Sequence, residues 1–215
     1  MRLMIPAVLI LLLSGLSFAQ DWAPYTSRTD SFAVNFPGQP KVQDITYRTE
    51  YNISLPGRVY SVVNGANRYS ITVVDYANVE KLHNDRVKTC QAELGDVDAC
   101  VARFQSATDI RGAIVFATWA FLQRDAKVTT LTYTYADLVE GHQLQLTNKD
   151  GSRTFAAIHM HENRLYILEG TVPEGSPAPG LFQQSLQFLD KDGNKIRYQT
   201  IYSNGFPAPP RAIVR

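Results

Sequence analysis

From residue 31 to 76, and again from 128 to 172, apolar side chains alternate with small or polar ones, and short clusters of Gly, Pro, Asn and Asp interrupt the alternation. A period of two places alternate side chains on opposite faces of a strand, so both blocks read as antiparallel β-structure joined by tight turns. In Ser31-Phe32-Ala33-Val34-Asn35-Phe36 the large apolar residues fall on every second position, and Pro37-Gly38-Gln39-Pro40 stops the run. A second run, 42–53, carries Ile45, Tyr47, Thr49 and Tyr51 on one side and Asp44, Arg48, Glu50 and Asn52 on the other, with Leu55-Pro56-Gly57 expected as its turn. Asn64-Gly65-Ala66-Asn67, between 58–63 and 68–76, is a strong hairpin signal. In the later block, Asn148-Lys149-Asp150-Gly151 and Glu162-Asn163-Arg164 punctuate a meander of 128–136, 142–148, 153–161 and 165–172.

The interval between the blocks is built differently. Across 78–124 the β-branched alternation gives way to Ala, Asp, Glu, Lys, Gln and Leu. Residues 79–90 read as a short helix, and Asp98 or Thr108 is placed to cap a second. The second ends in Ile110, Ala113, Ile114, Ala117, Trp119, Ala120, Phe121 and Leu122, apolar around most of a helix; 115–121 also fits a buried strand, and Ala, Leu and Gln at its end favour helix. Further on, Leu181, Phe182, Ser185, Leu186 and Leu189 share one helical face behind the Pro-rich loop 173–180.

The first nineteen residues have the layout of a secretory leader: Arg2, an apolar run from Leu3 to Leu13, and small residues at Ser17 and Ala19 before Gln20. Cleavage after Ala19 leaves one expected α+β domain, 20–202, and a Pro-containing tail, 203–215, expected to be disordered. No later segment is long and apolar enough to span a bilayer as a helix, which points to the periplasm or the extracellular space. Export gives Cys90 and Cys100, with nine residues between them, the reading of a disulfide; closing so short a loop contributes about 2–3 kcal/mol. A formal charge of +1 on 215 residues argues against nucleic acid as a partner, because phosphate binding needs clustered Lys and Arg. The charge is unevenly spread: after Asp190 only Asp192 is acidic, against five basic residues.

Four landmarks recur together: Phe32-x-Val34-x-Phe36-Pro37-Gly38-x-Pro40, several hairpins, a helix ahead of Lys127-Val128-Thr129, and Asn163-Arg164-Leu165-Tyr166-Ile167-Leu168 before the Pro-rich loop and Phe182-x-x-Ser185-Leu186-x-Phe188-Leu189. Over 31–189 this order resembles the small exported bacterial proteins of unassigned function with the PsbP-like fold. The resemblance implies an α/β/α sandwich, a central antiparallel sheet packed between helices. It also implies a non-catalytic role, and it brings no shared site residue. The segment 90–100 and the tail after Tyr202 have no counterpart in that pattern.

Among the residues that carry chemistry, His159-Met160-His161 stands out. Two His separated by one residue on a strand point to the same face and can hold zinc or copper if a third ligand arrives, with His142 and Glu162 as candidates; Met160 points the other way. The competing expectation is an exposed strand end beside the 162–164 turn. Asp190-Lys191-Asp192-Gly193-Asn194 lacks the later acidic ligands of a calcium loop, Gln199 standing where a Glu is needed, and reads as a turn. No nucleophile-elbow, Ser-x-x-Lys, metalloprotease, dinucleotide or phosphate-loop pattern occurs, and no cofactor pattern is present. Tyr47, Tyr51, Tyr60, Tyr69, Tyr133 and Tyr135 form a binding platform if one sheet face is open. The expected function is therefore non-enzymatic binding of a partner protein or small ligand, the alternative being a metal-binding or hydrolytic enzyme centred on His159 and His161.

Overall fold

The structure, a computed structural model, describes residues 22–103 and 105–212; the expected leader lies outside the described residues. In chain order the elements are β1 (Ala23–Ser27), β2 (Phe32–Phe36), β3 (Lys41–Arg48), β4 (Ser54–Asn64), β5 (Asn67–Asp75), α1 (Val79–Leu94), α2 (Val97–Arg103), α3 (Ser106–Leu122), β6 (Ala126–Ala136), β7 (Val139–Asn148), β8 (Arg153–His161), β9 (Arg164–Val172), α4 (Gly180–Gln183) and β10 (Gln187–Phe188). Seven strands make one antiparallel sheet in the order β3-β4-β5-β9-β8-β7-β6, and β1-β2-β10 make a second.

The turns follow from local chemistry. Gly65 at φ 58° carries the β4–β5 hairpin, while Glu162 and Asn163, both at positive φ, make the two-residue β8–β9 turn whose twist matches the strands it joins. The turn expected at 55–57 falls instead at 49–53, and Pro56 sits inside β4. Pro56 faces only the edge strand β3, where a missing amide donor is tolerated.

Alternation on the large sheet builds two cores. On one face Ile71, Val73, Tyr166 and Leu168 meet Phe32, Phe36, Phe182 and Phe188. On the other, Val74, Leu144, Leu146, Ile158 and Met160 meet Ala113, Ala117 and Phe121 of α3, spaced four apart on one helical stripe. The four phenylalanines on the first face are fully buried, each stabilising by about 1.5–3 kcal/mol. The Cys90–Cys100 disulfide, with a Cα–Cα distance of 5.8 Å, ties α1 to α2. Among the described residues no helix is long and apolar enough to cross a membrane.

This architecture corrects the expected α/β/α sandwich. The protein is mostly β, and the helices α1–α3 cover only one face of the large sheet. The opposite face is covered by the three-stranded sheet and by the segment after β10, so the layers run helix, sheet, sheet. The discrepancy traces to two places. Residues 181–189 form a single helical turn followed by β10, leaving Leu181 62% exposed, and β1 adds a strand ahead of the first one expected. The described part of the tail, 203–212, makes contacts with the domain. Asn204 donates to Ile110 O at 2.7 Å, Arg211 reaches Glu162 at 3.1 Å, and the backbone of 199 and 212 bonds to 210 and 197.

Candidate functional site

β8 is the most enclosed strand of the sheet, and its parity decides where the expected ligands lie. His159 and His161 share the face that meets the small sheet, and Met160 faces the helices. The pair is not at an exposed strand end: the two side chains are 2% and 1% exposed. His142 stands on the other face, where its Nδ1 bonds Thr118 of α3 at 2.8 Å. Glu162 turns outward to Arg211. The sheet therefore separates His142 from the pair, and among the described residues no group of three or more His, Cys, Asp or Glu is placed to hold a metal ion.

The two imidazoles have different jobs. The ring of His161 lies 4.5 Å from Phe188, 5.0 Å from Tyr202 and 5.8 Å from Tyr198, with a 2.7 Å hydrogen bond between its Nε2 and the Tyr198 hydroxyl. Burial, reinforced by the nearby Arg211 and Arg164, pushes its pKa down to about 3, so the ring is a neutral part of an aromatic cage.

His159 also stays neutral, burial pushing it down to about 4. Its Nδ1–H donates to Val139 O at 3.2 Å, which leaves Nε2 as the acceptor of the neutral ring. Gly141, cross-strand from it, permits this placement. A Cβ there would collide with the carbonyl of Ile158 and with the imidazole itself, 2.7 Å from Cε1.

His159 lines a cavity of about 320 Å³ between β6, β7, β8 and the α4–β10 segment. Gln143, Gln183, Gln184, Gln187 and Thr134 supply its polar lining, Ala157 and Leu186 its apolar part. The Nε2 of Gln183 is buried without a hydrogen-bond partner. A donor left unmet away from water costs about 1–3 kcal/mol, and the side chain that carries it is part of the cavity wall. The one ionisable acid of the lining is Asp137; burial raises its pKa, and the positive charges of Arg197 and Lys195 oppose that only in part.

Two further polar clusters are structural. Asp109 Oδ2 accepts from the Thr49 hydroxyl at 2.8 Å and from His83 Nε2 at 2.9 Å. Thr49 Oγ1 in turn accepts the amides of Tyr51 and Ile53, so the group clamps the 49–53 turn onto α1 and α3. All three side chains are 3% exposed or less, and the hydroxyl bonds the carboxylate instead of the imidazole, the reverse of a hydrolytic triad. On the other face, Asp30 accepts from Arg58 at 2.6 Å and Tyr60 at 2.5 Å, fastening the β1–β2 turn to β4. A larger groove of about 970 Å³ runs past the end of α3, and on its wall Arg124 makes two bonds to Glu169, at 2.7 and 2.9 Å.

The tyrosine platform is not assembled. Tyr60 and Tyr69 lie in one core, Tyr47 and Tyr51 are half-buried against the other, and only Tyr133 and Tyr135 are exposed. The four glutamines were not legible as a site, because they come from β7, α4, the residue after α4 and β10, and nothing in their local pattern marks them as neighbours. No protein-family model matches the chain, and no curated protein matches it.

Proposed function

We propose that this is an exported, non-enzymatic binding protein whose His159 cavity takes a small, uncharged ligand rich in hydroxyl or amide groups, a saccharide above all. The observation that carries the reading is that Gln183, whose Nε2 is buried without a partner, and the neutral His159 ring line the same cavity. Four carboxamides, a threonine hydroxyl and a neutral imidazole outnumber the one carboxyl of the lining, Asp137, and donate and accept without bearing charge, which matches a neutral polyol. Export is supported by the leader-like sequence of 1–19 and by the Cys90–Cys100 disulfide, a bond that persists in oxidising compartments.

Titration calorimetry with N-acetylglucosamine and with glucose tests the reading, with gluconate as the charged comparison. Saccharide binding that Gln183→Leu abolishes is the expected result. Absence of heat with either sugar, or equal binding by gluconate, counts against it.

A further inference from the structure

The two edges of the seven-stranded sheet are treated differently by the sequence. β3 carries Lys41, Asp44 and Arg48 within eight residues and follows Pro40, the charges and proline that keep an edge from pairing. β6, at the other edge, is eleven residues long, about 36 Å, and from Val128 to Ala136 has no charge, no Pro and no Gly. Its helix-side residues Val128, Leu131, Tyr133 and Tyr135 are 36%, 50%, 67% and 52% exposed. Above them α3 adds a stripe of Val115, Trp119 and Leu122, 61%, 52% and 39% exposed, bordering the flank from which Thr118 reaches His142. Together these seven side chains present roughly 700 Å², more than most monomers leave open and close to the ~800 Å² a partner contributes to a stable interface.

We infer that β6 pairs antiparallel with β6 of a second copy, joining two seven-stranded sheets across a two-fold axis. The strand is self-complementary for that arrangement. Antiparallel pairing lays the Lys127 end of each strand beside the Asp137 end of the other and puts the midpoint, Thr132, on the axis. Leu131 then faces Tyr133 of the second copy, and Thr130 faces Thr134, both favourable cross-strand pairs. On the helix side the two α3 stripes approach each other over these apolar residues, and the interface is isologous. The inference is independent of any ligand in the His159 cavity.

Sedimentation equilibrium of the purified protein reads the outcome. Twice the chain mass is expected, falling to the chain mass in Leu131→Lys/Tyr133→Lys, whose far-ultraviolet circular dichroism stays that of the native fold because both side chains are half or more exposed. Thr132→Cys is expected to cross-link to its own copy on oxidation, and Thr134→Cys, which faces Thr130, is not. A monomer at every concentration, including one whose β6 edge captures a different protein, overturns the inference. So does a dimer that survives the double lysine variant, or cross-linking of Thr134→Cys as strong as that of Thr132→Cys.

Discussion

Acidification should expose the two buried imidazoles of β8. In an unfolded chain both take up a proton near pH 6.5, whereas the folded protein holds His159 down to about 4 and His161 to about 3. Both folded values lie below the unfolded one, so between them the unfolded chain binds protons that the native chain refuses. Stability is therefore complete above about pH 6.5 and falls as the pH drops toward 4. At pH 4.5 each ring is about two pH units below its unfolded midpoint and still mostly neutral when folded, which costs roughly 2.5 kcal/mol per ring and roughly 5 kcal/mol for the pair. Domains of this kind are stable by about 5–15 kcal/mol in total, so most of the margin is at stake. Asp137 acts in the opposite sense, since an acid whose pKa is raised by folding gains stability on acidification, and it offsets part of the loss. Urea unfolding followed by tryptophan fluorescence at pH 7 and pH 4.5 measures the effect. The native protein should lose most of its stability at the lower pH, and His159→Gln/His161→Gln, which cannot titrate, should lose little. An equal fall in both proteins, or no fall in the native one, would refute the reasoning.

Two substitutions probe the packing around the sites. Gly141→Ala forces a methyl against Ile158 O and the His159 ring; backbone cannot yield cheaply, so about 3 kcal/mol of destabilisation is expected in urea unfolding, and a loss under about 1 kcal/mol would show that the strands separate more easily than the geometry implies. Asp109→Ala leaves the Thr49 hydroxyl and His83 Nε2 without their acceptor in a dry interior, for an expected loss of about 3 kcal/mol; a melting temperature within a degree or so of the native value would remove the clamp from the account.

The meander of β6 to β9 and the β4–β5 hairpin were legible because alternation and turn chemistry agree there: Asn64-Gly65 needs a left-handed turn, and 153–161 is apolar on both faces because it lies between two cores. The shared face of His159 and His161 was legible for the same reason, since parity is a local property of a strand. Their burial was not, because it depends on Phe188, Tyr198 and Tyr202, which reach them from 27 to 41 residues away along the chain. The second sheet was hidden more deeply. β1 reads Ala-Pro-Tyr-Thr-Ser with no clear alternation, and β10 is two residues long, so both exist only because β2 offers each an edge. Residues 181–189 carry a helical spacing, but Phe188 is worth more against His161 and Tyr166 than in a further helical turn. In the tail, prolines spoke against regular structure; regular structure was not needed, because bonds from Asn204, Gln199 and Arg211 suffice to hold it on the domain.

The central claim is that the cavity lined by His159 and Gln183 is a binding site. The most direct measurement follows nitrogen-15 NMR signals of the Gln183 side-chain amide and the His159 imidazole while N-acetylglucosamine is added, with His83, clamped on the opposite face, as the internal reference. The account predicts saturable shifts of Gln183 and His159 and none at His83. Shifts absent from Gln183, or equal at all three residues, would contradict it.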